Sequence, residues 1–175
     1  MNSDLSDEIF QSYTHGELKI GEIIEKIKEF LEEVPNNQYS LVIGTDSHEK
    51  NDSEKNNGSA KEINLVTAIL IYRKGFGGKY FWRRETVKNI HSLREKIYAE
   101  TMTSLSFASI FVPLFKKQLN GNSPNYDLEI HVDVGEHGDT RNMIKEVVGM
   151  VTGNGFVAKT KPDAYAASYV ADKHT

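Results

Sequence analysis

The sequence predicts an α/β domain built on a five-stranded mixed sheet of order 3-2-1-4-5 with flanking helices. Three observations carry this. Three strand patterns follow one another with no helix between them: Tyr39 to Asp46, Ile63 to Tyr72 and Tyr80 to Val87. Two further strands, Leu128 to Val134 and Phe156 to Lys159, then alternate with helical patterns. Both "YSLVIGTDSH" and "YDLEIHVDVGEHG" run as apolar strands onto an aspartate with a glycine close by. Strands without an intervening helix form an antiparallel meander, and strands alternating with helices join it in parallel through right-handed crossovers.

Each element has its own signal. Residues 1–17 lack periodicity and read as a loosely ordered lead-in. Ile20, Ile23, Ile24, Ile27, Phe30, Leu31 and Val34 recur at helical spacing until Pro35 and Asn36-Asn37 stop the helix. After the first strand, residues 49–61 are polar and aperiodic, the pattern of a mobile loop next to Asp46. "KGFGGK" is a glycine-rich hairpin turn between the second and third strands. Ser92, with Glu95 three residues on, has the spacing of a capping box and opens a long helix towards Leu119, with Pro113 inside it. Thr140 opens a helix to about Met150, and "PDAYAASYVAD" is a final helix rich in small residues.

Bulk properties bound the function. A chain of 175 residues with 38% apolar and 26% charged side chains suits one domain with a real core. No run of about 18 apolar residues is evident, so no membrane contact is expected. The acidic start "MNSDLSDEIF" has no secretory h-region. With no cysteine there are no disulfides and no thiolate metal sites, which fits a cytoplasmic protein. The net charge of −4 divides unevenly: −8 over residues 1–60, +7 over 61–125 and −3 over 126–175. The basic middle segment either faces an anionic ligand or is a solvated strand edge and helix face.

The strand-end aspartates need an explanation, because strands deplete Asp. An Asx-turn is the plainest one. The expected topology offers another. If the first and fourth strands are parallel neighbours, Asp46 and Asp133 end side by side, and two ionised carboxylates there repel. A divalent cation removes the conflict, and hard oxygen donors select Mg²⁺ or Mn²⁺. Glu100 lies on the long helix among small neighbours that allow close approach to the sheet, and Asp163 opens the last helix. Asp163 is equally a helix cap, Asp172 a helix-end charge, Glu95 a capping-box member and Glu100 a surface acid. His131 alternates with Asp133 and His48 with Asp46, so a mononuclear His/Asp site is also open, and His137 in "GEHGDTR" is a candidate proton shuttle.

The order of elements, with acids at the first strand, long helix, fourth strand and last helix, resembles the ribonuclease-H-like fold. "IGTDS", "HVDVGEHGDTRNMIKEVVGMVTGNGF" and "KPDAYAASYVADKHT" resemble the bacterial YkuK-type ribonuclease-H-like family over roughly residues 16–175. The resemblance implies a metal-dependent nuclease that hydrolyses phosphodiester bonds with two Mg²⁺ or Mn²⁺ ions. It implies that Asp46 bridges both ions, that Glu100 and Asp133 complete one site, and that Asp163 completes the other, with Glu95 and Asp172 in reserve. RNA, DNA or a hybrid would be the substrate, its phosphates meeting Lys79, Arg83, Arg84 and Lys88 and its bases stacking on Phe81 or Trp82. The alternatives are a non-catalytic ribonuclease-H-like module that binds nucleic acid or protein, and an actin-like nucleotide-binding fold. The second needs two such domains where this length supplies one.

Overall fold

The structure is a computed structural model, and it describes residues 8–49, 61–121, 125–165, 169–170 and 173–174. The elements in order are β1 (Ile9–Ser12), β2 (Gly16–Lys19), α1 (Ile20–Glu33), β3 (Tyr39–Glu49), β4 (Lys61–Arg73), β5 (Gly78–Ile90), α2 (Leu93–Gln118), β6 (Tyr126–His131), α3 (Ile144–Gly153) and β7 (Val157–Lys159). One sheet runs β2-β1-β5-β4-β3-β6-β7. The five expected strands are β3 to β7, in the expected order. β3 and β6 are parallel neighbours, from Tyr39 beside Tyr126 to Gly44 beside His131.

The sheet has seven strands rather than five, because the later part of the expected lead-in, from Ile9 on, forms a hairpin that ends at Lys19. β1 and β2 pair antiparallel, and Gln11 pairs with Trp82 at the β5 edge. Phe10 is fully buried and packs on Phe107, ring centroids 5.3 Å apart. Burying one such ring is worth about 2–3 kcal/mol. Each strand is only four residues long, too short for a period-two signal, and the sheet residue that β1 joins, Trp82, lies some seventy residues away. Residues 50–60, most of the segment expected as a mobile loop, and Asp172 lie outside the described residues.

The two faces of the sheet are covered differently. α2 packs on the face that carries Leu41, Ile43, Thr45, Ile69 and Phe81, burying Phe107, Phe111 and Phe115. α2 is long and apolar enough, by length and composition, to cross a membrane, a feature missed in the sequence reading. Its aromatic side is nonetheless buried in the sheet's core, as in the core helix of a globular domain. α1 contributes Ile20, Ile23, Ile24, Ile27, Phe30 and Leu31 to the same core, while Val34, expected in the stripe, is exposed at its C-terminal cap. The other face carries a smaller cluster of Val66, Ala68, Trp82 and Val170.

α3 starts differently from the sequence expectation. A single 3-10 turn, Arg141–Met143, precedes it. Thr140 makes no capping bond there; its hydroxyl instead accepts from the Gly135 amide at 3.2 Å, tying down the loop after β6.

Candidate acidic site at the strand tips

The site starts with alternation along β3. Thr45 and Ser47 point towards α2, and Asp46 between them points to the opposite face. Small residues on α2 let the helix come close. Ser104 Oγ donates to Thr45 Oγ1 at 2.9 Å, and Thr45 Oγ1 lies 3.1 Å from Thr67 Oγ1. One turn nearer the helix start, Ser47 Oγ donates to Glu100 Oε1 at 2.7 Å. Glu100 is 2% exposed, and its Oε2 has no hydrogen-bond partner. Lys96 Nζ, at 3.9 Å from Oε1, is the nearest cation. Burial pushes the Glu100 carboxyl up to about 8, with the charges of Asp46 and Asp133 adding to it and the Ser47 bond opposing.

Asp46 is 7% exposed and accepts from the Ser47 amide at 2.8 Å. Burial holds its carboxyl above the usual range, against the Ser47 bond, and Asp133 raises it further. The β3–β6 register, continued two residues past His131, sets Asp133 level with Asp46. Asp133 is positioned from its other side by β7 and the residues after it. The Val132 amide donates to Lys159 O at 2.9 Å, and the Lys161 amide to Val134 O at 2.8 Å. Lys161 Nζ then sits 2.6 Å from Asp133 Oδ1, an ion-pair contact that lacks hydrogen-bond geometry. Three carboxylates therefore lie near enough for their charges to act on one another: Asp46 three residues inside the end of β3, Asp133 two residues past β6, and Glu100 on α2. Asp133 has Lys161 and Glu100 has Lys96 at 3.9 Å, while Asp46 has no ion pair among the described residues.

Asp163 stands apart from these three. It is in a turn rather than at a helix start: its amide and that of Ala164 both donate to Thr160 O, at 2.9 and 3.0 Å. It lines a cleft of about 960 Å³ between residues 135–137 and 158–165, which His137 and Lys161 also line. The charge of Asp163 is felt by His131 on β6. His131 is buried, with Nε2 3.1 Å from Glu129 Oε2 and its ring 5.6 Å from that of Tyr165. Burial holds this imidazole below its ordinary value, against the pull of Glu129. Glu95 is occupied in capping: its carboxylate accepts from the His91 amide at 2.7 Å, and its own amide donates to Ser92 Oγ at 3.2 Å.

The basic residues divide. Lys79 is level with Leu41, whereas Asp46 is level with Arg84. That is five residues along the strand, roughly 17 Å at about 3.4 Å each. Lys79 pairs with Glu33 at 3.9 Å and lies over the Phe30 ring, so it belongs to the far end of the sheet. Arg83 points to the α2 face, ion-paired with Glu8 and set between Phe10 and Phe107 at 5.7 and 5.8 Å from their centroids. Neither is placed to meet a phosphate at the acids. Arg84 is exposed on the Asp46 face, and no ion pair to it occurs among the described residues. Lys88 is 74% exposed, 3.7 Å from Glu62. Phe81 is buried, and Trp82 is covered by His174, stacked at 3.6 Å. Neither ring is open to a base.

Sequence reasoning missed Ser47 and Lys161. Ser47 adjoins Asp46, so alternation alone could have pointed it at the helix acid. Lys161 is two residues beyond Lys159, just past the end of β7, and Lys159 itself pairs with Glu129 at 3.8 Å.

Three acids beside a parallel strand pair, on a sheet of this order with a helix across it, define a ribonuclease-H-like domain. Residues 22–175 match the family described as Ribonuclease H-like, and the chain belongs to it. It is 31% identical to the uncharacterized protein YkuK of Bacillus subtilis (strain 168) over 175 residues, covering 95% of this chain and 96% of that protein. No solved structure matches the chain.

The donor set suits a hard divalent cation. Glu100 Oε2 is a buried oxygen without a partner, and Asp46 and Asp133 add carboxylate oxygens with no nitrogen or sulfur required. Among the described residues, however, no three His, Asp or Glu side chains are already drawn together around one ion position. Side-chain rotation, and release of Asp133 from Lys161, would have to complete the set.

Proposed function

We propose that this protein is a divalent-metal-dependent nuclease, with Mg²⁺ or Mn²⁺ held by Asp46, Glu100 and Asp133. The observation that supports it most is Glu100: a carboxylate 2% exposed, fixed at one oxygen by Ser47 and unpartnered at the other, beside two more acids. Such a group is costly to fold unless a cation or a proton joins it. When bound, the ion supplies an activated water and positive charge at a phosphodiester. The chain's own residues do the rest. Ser47 fixes the Glu100 rotamer so that Oε2 is the free donor. Asp163 and His137, on the walls of the cleft, would handle the outer part of the site, His137 exchanging a proton with the leaving group. Arg84 and Lys88 would hold the phosphate backbone on the Asp46 face. Family membership fits a nucleic-acid substrate, RNA, DNA or hybrid.

Incubation with labelled RNA, DNA and hybrid tests this. Cleavage is expected in Mg²⁺ or Mn²⁺ and not in EDTA. Ca²⁺ should bind without supporting turnover, because its looser coordination positions water poorly. Asp133→Asn should lose turnover far more than binding. A second reading, a non-catalytic module that binds nucleic acid or protein, is favoured by the Lys161–Asp133 pair, which already neutralises one of the acids. A metal-loaded sample that binds one substrate and cuts none would select it.

A further inference from the structure

We infer that Lys161 is a built-in competitor for the metal: its ammonium and a divalent cation compete for Asp133 Oδ1. The inference rests on the metal reading above and specifies how that site is regulated. Lys161 Nζ lies 2.6 Å from Asp133 Oδ1, so a cation ligated by that oxygen would meet a positive charge at contact distance. The Lys161 amide is fixed to Val134 O at 2.8 Å, while its side chain is 53% exposed. The stem runs past Gly135, where an added Cβ would stand 3.2 Å from Lys161 Cβ. Beyond it is the cleft that Lys161 itself lines with His137 and Asp163. The next lysine back, Lys159, pairs with Glu129 and does not reach the three acids. On this arrangement the metal-free site holds Asp133 with its own cation. Metal entry sends the ammonium into the cleft, where an anionic group of the substrate would receive it.

Titration calorimetry with Mn²⁺ at fixed ionic strength tests this without any activity assay. Lys161→Met removes the competing charge and keeps the stem, and should bind Mn²⁺ about tenfold more tightly than the parent. Lys161→Arg keeps a cation and should bind as the parent does. Mn²⁺ should also raise the melting temperature of Lys161→Met more than that of the parent. Binding by Lys161→Met and not by the parent would support the inference in its strongest form. Equal or weaker Mn²⁺ binding by Lys161→Met would overturn it, and the metal reading would survive if Asp46→Asn still abolished that binding. No binding by the parent or by Lys161→Met would remove both.

Discussion

The two faces of the central sheet use the same strands for different ends. On the α2 side, Thr45, Ser47, Thr67 and Arg83 are all taken up, by Ser104, by Glu100, by each other or by Glu8 and two phenylalanines. On the other side, the next residues along, Asp46 and Arg84, carry charge that nothing in contact balances among the described residues. Burial is high at Asp46 and low at Arg84, so exposure alone does not separate the faces. The difference is charge pairing: on one face Arg83 is ion-paired within the fold, with only its Nε left without a hydrogen bond, and the other leaves charges for something outside it. Glu100 is the exception, since it reaches the acidic site from the packed side and keeps one oxygen unpaired.

The sharpest break in this contrast would come from Asp46. Asp46→Asn should abolish Mn²⁺ binding in calorimetry, a loss of at least about a hundredfold, since it removes a charged donor from the site. Without metal the variant should be no less stable than the parent, because a repulsion with Asp133 has been removed. Retained Mn²⁺ binding would place the ion elsewhere.

Glu100 gives the next largest effect, in pH dependence. Its carboxyl is near 8 when folded and near 4.5 when unfolded, so the folded state holds the extra proton between those values. Stability from this group is therefore full below about pH 4.5 and falls as pH rises to 8, by roughly 3–4 kcal/mol. Asp46 is shifted in the same direction and adds to the slope. Urea denaturation from pH 5 to pH 8 should show the decline in the metal-free protein, and Glu100→Gln should flatten most of it. A parent whose stability rises over that range would show Glu100 to be ionised and paired.

Arg83 and Arg84 sharpen the contrast at adjacent positions. Arg83→Ala should cost about 2–4 kcal/mol, because it strands Glu8 and opens space between Phe10 and Phe107. Arg84→Ala should change stability by less than about 0.5 kcal/mol. It should instead weaken nucleic-acid binding and flatten its salt dependence. Equal effects on stability would mean that both side chains are structural.

The strand order of β3 to β7 and the parallel β3–β6 pair were legible in the sequence. Apolar and β-branched runs bounded by turn residues mark these strands, even the three-residue β7 after "GNG", and the alternation of strands with helices fixes which are parallel. The close approach of α2 to β3 at Glu100 was legible too, because the residues around it are small. The β1–β2 hairpin was not, since four-residue strands carry little pattern and take their place from packing against Phe107. The uses of the basic residues also needed tertiary structure. Lys79, Arg83, Arg84 and Lys88 look alike in sequence, and only position along β5 and side of the sheet separate them. The same holds for Lys161 and Asp133, 28 positions apart, whose pairing exists only because β7 runs beside β6. Sequence periodicity specifies local faces. Which charge meets which across strands is decided by the register of the sheet, and no local pattern encodes that.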